Sequence, residues 1–139
     1  SAAIYERIFQ IETPECLSIP SDIDSAFWGN LKENVQHQYQ QKKPMLKTIR
    51  EKLKDAKIWK AFISSAHQQV RSPDEIKDCL KSAGAAHTFS DIKCSRERLL
   101  SAVLHMHEIR KRATVIDLAW ILGILPDAAD EIIDKWLTN

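Results

Sequence analysis

Apolar side chains recur at steps of three and four along most of the chain, and this spacing limits the fold more than any other feature. Such steps place apolar side chains on one face of an α-helix, whereas a half-buried strand needs strict alternation. No stretch of four or more residues alternates cleanly between turn signals. The sequence therefore predicts an all-α fold, an irregular bundle of about six or seven helices with no sheet.

The chain length suits one domain. Its 139 residues are close to the commonest domain size, and we expect residues 1–139 to form a single helical domain. A first helix is predicted from about residue 2 to residue 11, and either Ser21-Asp22 or Asp24 is expected to cap a long one. Pro44 interrupts the pattern of the long helix and predicts a kink or a break, because proline lacks an N–H donor and crowds the preceding turn. The weakest internal boundary is therefore expected near Pro44.

Helix start and stop signals support this division. Ser72 is followed by proline and, three residues later, by Glu75, which is the pattern of a capping box. Gly84 is placed to end the helix that Ser72 begins. Thr114 is expected to cap a later apolar helix, and Gly123 to end it.

Positive charge is concentrated in residues 42–60, which hold eight basic and two acidic side chains, although the net charge of the chain is only +1. Such a segment can bind nucleic acid or phosphate, or it can be the solvated face of a surface helix. We favour the solvated face, because Trp59 and Phe62 do not interleave with the lysines as a base-stacking platform requires. Nucleic acid is therefore not an expected partner.

Composition excludes several classes of protein. No run of about 18 apolar residues is present, so no membrane span is predicted. The three glycines stand far apart and cannot form a glycine-rich phosphate loop. Cys16, Cys79 and Cys94 are widely spaced and offer neither a disulfide framework nor a C-x-x-C pair. A reducing, cytoplasmic location fits this cysteine usage best.

Residues 96–112 form the most apolar predicted helix, which we expect to be the central, buried one of the bundle. His105 and His107 point about 160° apart on such a helix and cannot share one metal ion. His105 and Glu108 lie one turn apart, but two ligands alone are a weak metal signal. We expect a solvated His105, and a core His107 bonded to a backbone carbonyl or a carboxylate. A further hypothesis is that His105, Glu108 and Arg112 line a cleft.

Arg110 falls near the middle of the apolar face of that predicted helix. A buried guanidinium must be paired or escape at a helix end, because an unpaired buried charge is very costly. Asp117 is the nearest candidate partner, so we predict an Arg110–Asp117 contact that sets how two helices meet. The alternative is an anion site that Arg110 and Arg112 build in a cleft.

Four sequence pieces, taken in order, resemble the C-terminal helical part of sn-glycerol-1-phosphate dehydrogenases. This family belongs to the iron-containing alcohol dehydrogenase and glycerol dehydrogenase superfamily. The order of a glycine end-cap, a Ser-Arg-Glu start, Ile-Arg-x-Arg and then Thr-Val-x-Asp-Leu is more specific than any single piece. The pieces are Ser-Pro-Asp-Glu-Ile (72–76), Leu-Lys-Ser-Ala-Gly-Ala (80–85), Cys-Ser-Arg-Glu-Arg-Leu-Leu (94–100) and His-Glu-Ile-Arg-Lys-Arg-Ala-Thr-Val-Ile-Asp-Leu-Ala-Trp-Ile-Leu-Gly (107–123).

The resemblance implies a parent enzyme with two domains. Its N-terminal half binds NAD(P), and its helical half holds a divalent metal through an aspartate and two histidines. The implied reaction interconverts glycerone phosphate and glycerol 1-phosphate. None of the five histidines here is followed by glycine, as the family's metal segment requires, and the chain has no glycine-rich dinucleotide turn. No catalytic, cofactor-binding or metal-ligating residue is therefore assigned to this chain.

We expect this chain to be a fragment of such a dehydrogenase that transfers no hydride by itself, with the missing nucleotide-binding domain as its natural partner. The alternative is a stand-alone helical module that binds another protein and has no catalytic activity. A fragment is expected to expose apolar surface and to self-associate. The residues expected to form that apolar surface are Ile4, Tyr5, Ile8, Phe9 and the stripe around Phe27 and Trp28.

Overall fold

The computed structural model describes residues 1–138, in which every regular element is a helix and no strand occurs. The all-α prediction is confirmed. None of the helices in this range is both long and apolar enough to cross a membrane. The elements are α1 (Ala2–Ile8), α2 (Ser25–Trp28), a 3-10 turn (Gly29–Leu31), α3 (Lys32–Leu53), α4 (Ala56–Gln69), α5 (Pro73–Ser82), α6 (Arg96–His105), α7 (Val115–Ile121) and α8 (Ala129–Trp136).

The predicted start and stop signals act as expected. The Ser72 hydroxyl accepts from the Glu75 backbone N–H, and the Glu75 carboxylate accepts from the Ser72 N–H, which completes a capping box. Gly84 follows α5 with φ of 67°, and Gly123 follows α7 with φ of 70°. A side chain at position 123 would also be crowded, because its Cβ would lie 2.9 Å from the Leu17 side chain.

The chain does not break at Pro44. Helix α3 runs without interruption from residue 32 to residue 53 and contains this proline. Pro44 lies on the exposed side of the helix, and buried Tyr39 and Leu46 anchor the helix on either side of it. Packing on both sides therefore keeps the helix in place despite the hydrogen bond that proline removes. The predicted break at Pro44 is therefore wrong, whereas the kink and the weakest internal boundary near this residue stay predictions.

The main core lies where α1, α7 and α8 meet, with Leu53 from α3 and Trp59 from α4 packed against them. Helix α7 is the most deeply buried element, and Ala119 and Ile121 have no exposed surface. A smaller cluster joins Ile23, Val35 and Tyr39 near the start of α3. These two clusters set the positions of α3 and α7, which carry the site described below.

The segment 96–112 differs from its prediction. Helix α6 ends at His105 and has no buried residue, so the central buried helix is α7 instead. Residues 106–112 follow a path of turns, and Arg110 takes a φ of 70°. The helical wheel therefore does not apply beyond His105. The Lys42 side chain binds the backbone of this segment at His107, and the Glu108 side chain accepts from Asp24 and Trp28. The sequence pattern carries no sign of these long-range contacts.

The apolar surface also differs from the expectation. Ile4 and Ile8 of α1 are buried in the main core, because α1 packs against α7 and α8. Phe27 is 44% exposed, as expected for the second predicted patch, whereas Trp28 is half-buried. The self-association expected of a fragment stays a prediction.

The burial of α7 predicts how much the free energy of unfolding falls when one of its core side chains is shortened. We expect Ile121→Ala to lower the free energy of unfolding by about 2–5 kcal/mol, because a fully buried isoleucine leaves a cavity when it is shortened. Urea unfolding followed by circular dichroism measures this value. Ile92, which is 62% exposed, provides the matched control. A cost for Ile121→Ala no larger than that for Ile92→Ala would contradict the position of α7 at the centre of the core.

Candidate functional site

The most unusual feature of the interior is a fully buried lysine. Lys42 has no exposed surface, although it belongs to the basic segment predicted to be solvated. It lies on the same face of α3 as Tyr39 and Leu46, which are also buried. An ammonium group in this position must be paired and hydrogen-bonded, since the loss of water is otherwise too costly.

Asp117 is the partner of this lysine. The Lys42 Nζ lies 2.7 Å from Asp117 Oδ1, and Asp117 is only 2% exposed. The other carboxylate oxygen accepts from the Thr114 N–H at 2.8 Å and from the Thr114 hydroxyl at 3.0 Å. Thr114 and Asp117 thereby form the capping box that begins α7. One carboxylate caps a helix and neutralises a buried cation at the same time.

The predicted Arg110–Asp117 contact is therefore corrected, because the cation beside Asp117 is Lys42. Arg110 is exposed, since the chain leaves the helical path before it reaches this residue. The prediction treated Arg110 as a buried guanidinium that needs an acidic partner. The buried cation is Lys42, which comes from a distant helix and not from the neighbouring turn.

His107 completes the cluster. Its backbone carbonyl accepts a hydrogen bond from the Lys42 ammonium, so one lysine side chain joins α3 to both α7 and the turn before it. The His107 Nδ1 donates to the Leu104 carbonyl at 2.8 Å, and the residue is 4% exposed. This is the core histidine that the sequence predicted. Its ring also lies against Trp120, with 4.5 Å between the ring centroids.

Burial sets the protonation states of two groups in this cluster. Loss of water lowers the pKa of His107 from its ordinary value of 6.5, and the positive charge of Lys42 acts in the same direction. Loss of water and the nearby carboxylates of Asp117 and Glu108 raise the pKa of Tyr39 to about 12. Tyr39 therefore stays protonated, and its hydroxyl donates a hydrogen bond to the Pro20 carbonyl, 2.7 Å away.

Glu108 forms a second buried acidic contact. Its carboxylate accepts from the Asp24 N–H at 3.0 Å and from the indole N–H of Trp28. His105 lies beside it, with Nδ1 3.5 Å from Glu108 Oε1. The His105 ring stacks on Phe27 at a centroid distance of 3.8 Å, so it is not the freely solvated group that we expected.

The three residues of the cleft hypothesis are only partly brought together. His105 and Glu108 are in contact, and both hold α2 against the turn that follows α6. Arg112 is exposed, and within residues 1–138 it forms neither an ion pair nor a side-chain hydrogen bond with either of them. The contacts of Glu108 with Asp24 and Trp28 give it a positioning role.

The burial of Lys42 was not predicted, although the sequence carries a signal for it. When the apolar pattern of α3 is read through Pro44, buried positions fall at Val35, Tyr39, Leu46 and Leu53. Lys42 occupies the helical step between Tyr39 and Leu46. Dividing the pattern at Pro44 concealed this step. A lysine inside a continuous apolar series would have predicted a buried ion pair.

The metal set implied by the sequence resemblance, an aspartate and two histidines, is not assembled by residues 1–138, where no group of three or more histidine, cysteine or acidic side chains is placed to hold a metal ion. Lys42 and Asp117 are both buried, and their charged groups contact each other and neighbouring parts of the chain. The residues present therefore do not fit that metal, and no reaction step is assigned to them. The arrangement can link three parts of the fold.

Comparison of the chain with protein-family models, curated proteins and solved structures found no match.

The buried ion pair predicts that removing one partner strongly lowers the free energy of unfolding. We expect Lys42→Met to lower the free energy of unfolding by about 3–5 kcal/mol, because it leaves the Asp117 carboxylate buried without a counter-charge. Chemical denaturation measures this loss. Lys52→Met provides the control, since Lys52 is exposed on the same helix.

The double variant Lys42→Met/Asp117→Asn separates the charge effect from the loss of packing. Asparagine keeps an oxygen for the Thr114 N–H and removes the buried charge, so we expect the double variant to be less destabilised than the sum of the two single variants. Strict additivity, or a Lys42→Met cost equal to that of Lys52→Met, would show that the pair does not stabilise the fold.

His107 predicts a dependence of stability on pH. The folded protein holds the pKa of His107 below the unfolded value of 6.5, so the unfolded chain takes up a proton first as the pH falls. The stabilisation from the neutral ring is complete above the unfolded pKa and is lost as the pH falls towards the folded pKa. We therefore expect the stability advantage of the natural protein over His107→Gln to shrink from about pH 7 to about pH 5.

Urea unfolding at a series of pH values tests this expectation. His37→Gln is the matched control, because His37 is exposed, and its difference from the natural protein is expected to stay nearly constant. An advantage over His107→Gln that grows as the pH falls would mean that His107 is held in its charged form.

Proposed function

We propose that this chain is the C-terminal helical part of an NAD(P)- and metal-dependent oxidoreductase that resembles glycerol-1-phosphate dehydrogenases. In this proposal the chain supplies scaffold and transfers no hydride by itself. The nucleotide-binding domain is its partner, and it contributes the NAD(P) site of the parent enzyme. The substrate class is a three-carbon polyol phosphate, and a cytoplasmic location belongs to the same proposal.

The observation that carries the proposal is the role of the motif Thr-Val-x-Asp-Leu at residues 114–118. Thr114 and Asp117 form a capping box, and Asp117 also pairs with Lys42 in the interior. The residues that carry the resemblance therefore have a physical reason to occur together, because they fix the start of the most buried helix. A chance match at surface positions would have no such role.

The order of elements supports the same reading. Residues 72–123 follow the sequence of features on which the resemblance was based: a capping box at Ser72, a left-handed Gly84, a cap at Ser95, a capping box at Thr114 and a left-handed Gly123. All three cysteines are free thiols, which is consistent with a reducing compartment.

A second candidate function is a stand-alone protein-binding module. Helix α5 has no buried residue, and Ile76 and Leu80 on its apolar face are 38% and 36% exposed. They line a cavity of about 290 Å³ together with Trp136 and Leu137. An uncovered apolar face of this kind favours either a partner protein or the missing part of a larger chain.

The complete coding sequence distinguishes the two candidates. We expect the reading frame ahead of Ser1 to encode a glycine-rich strand–turn–helix and the histidines of the metal site. The complete product, supplied with a divalent metal, is expected to oxidise NADH or NADPH in the presence of glycerone phosphate. Residues 1–139 alone serve as the control and are expected to be inactive.

Two results would contradict the dehydrogenase proposal. One is a reading frame that opens directly before Ser1 and encodes no nucleotide-binding domain. The other is a complete product that folds cooperatively, binds NAD(P)H and metal, and still does not turn over glycerone phosphate. The first result would favour the protein-binding module.

A further inference from the structure

A groove beside Pro44 on α3 collects three basic side chains. Lys43, Lys47 and Arg50 line it from α3, and Ser18 and Ile19 line it from the loop before α2. Its volume is about 560 Å³, which lies within the usual size of small-molecule sites, about 300–1,000 Å³. The three basic residues follow one another at steps of four and three, so they share one face of a single helix.

Two of the three cations are held in place by the loop. The Lys43 ammonium donates to the Ser21 carbonyl at 2.7 Å, and Arg50 Nε donates to the Cys16 carbonyl at 3.5 Å. Both residues are half-buried, whereas Lys47 is exposed. These bonds use one donor of each group, and an ammonium has three donors and a guanidinium five. Anchored cations with remaining donors are suited to bind an anion.

Among residues 1–138, no carboxylate lines the groove. Two acidic side chains that neighbour groove residues or their partners in the sequence are engaged elsewhere: Asp22 accepts from Gln36 and Gln40, and Glu51 pairs with Lys54 at 2.8 Å. A cleft lined by charges of one sign concentrates the field and attracts ions of the opposite sign. The groove therefore presents positive charge that the protein does not neutralise within it.

We propose that this groove binds a phosphorylated small molecule with at least two negative charges. The guanidinium of Arg50 matches the geometry of a phosphate and can bind it with two hydrogen bonds, and the lysines add positive charge. Ile19, Pro44 and Leu46 provide an apolar wall beside the cations, which suits the carbon part of such a ligand. The proposal does not depend on the dehydrogenase assignment.

The groove favours a small molecule over a nucleic acid. Its lining contains no aromatic side chain, so bases have no surface on which to stack.

Calorimetric titration of the 139-residue chain with inorganic pyrophosphate tests the proposal, with inorganic phosphate and a short DNA duplex as comparison ligands. We expect pyrophosphate to bind more tightly than phosphate. Arg50→Gln and Lys47→Gln are each expected to weaken pyrophosphate binding about tenfold, since each removes a charge-assisted hydrogen bond. Arg50→Lys is expected to recover only part of the affinity, because it keeps the charge and loses the planar fork.

Lys52→Gln and Lys60→Gln are the matched controls, because both residues are exposed, lie in the same basic segment and lose the same charge. We expect them to change the affinity less than about twofold, because neither side chain lines the groove or can donate a hydrogen bond to a ligand in it. Equal losses in groove and control variants would overturn the proposal and indicate a general charge effect. Absence of pyrophosphate binding, or tighter binding of the DNA duplex that Lys52→Gln weakens equally, would overturn it as well. Unchanged circular dichroism of each variant shows that the fold is retained.

Discussion

The rest of the structure depends on the buried pair of Lys42 and Asp117. An ammonium group without exposed surface requires a carboxylate and a carbonyl in fixed positions, and Asp117 and His107 supply them. This requirement sets the register of α3, because a shift by one residue would remove the lysine from both partners. It also sets the start of α7, since the same carboxylate completes the Thr114 capping box. Charge pairing and helix capping therefore act through one side chain.

Asp117 and Glu108 are both buried carboxylates, and similar contacts stabilise them. Each buried carboxylate accepts from the backbone N–H of a helix-capping residue, Thr114 for α7 and Asp24 for α2. Each also accepts from a side chain that comes from a distant part of the sequence, Lys42 in one case and Trp28 in the other. The turn between α6 and α7 is thus the meeting point of four parts of the chain. A segment with this many fixed contacts is suited to a structural role within a larger assembly.

The basic side chains of residues 42–60 have different roles, and the composition of the segment does not distinguish them. Lys42 is buried in the interior, whereas Lys43, Lys47 and Arg50 line a surface groove on the same helix. Adjacent residues point about 100° apart on a helix, so one lysine can be buried while its neighbour reaches the surface. The proposed scaffold and the proposed anion groove therefore use the same helix without sharing a side chain.

Local patterns in the sequence determined where helices begin and end, because a capping serine or threonine and a left-handed glycine act through their immediate neighbours. Ser72, Gly84, Thr114 and Gly123 all behave as predicted for this reason. Tertiary structure alone decided the continuity of α3 through Pro44, the end of α6 at His105 and the partner of Asp117. Each of these depends on contacts between residues far apart in the chain. Tyr39 and Leu46 pack in the interior on either side of Pro44 and keep α3 in one piece, and no periodicity shows which distant cation meets a buried acid.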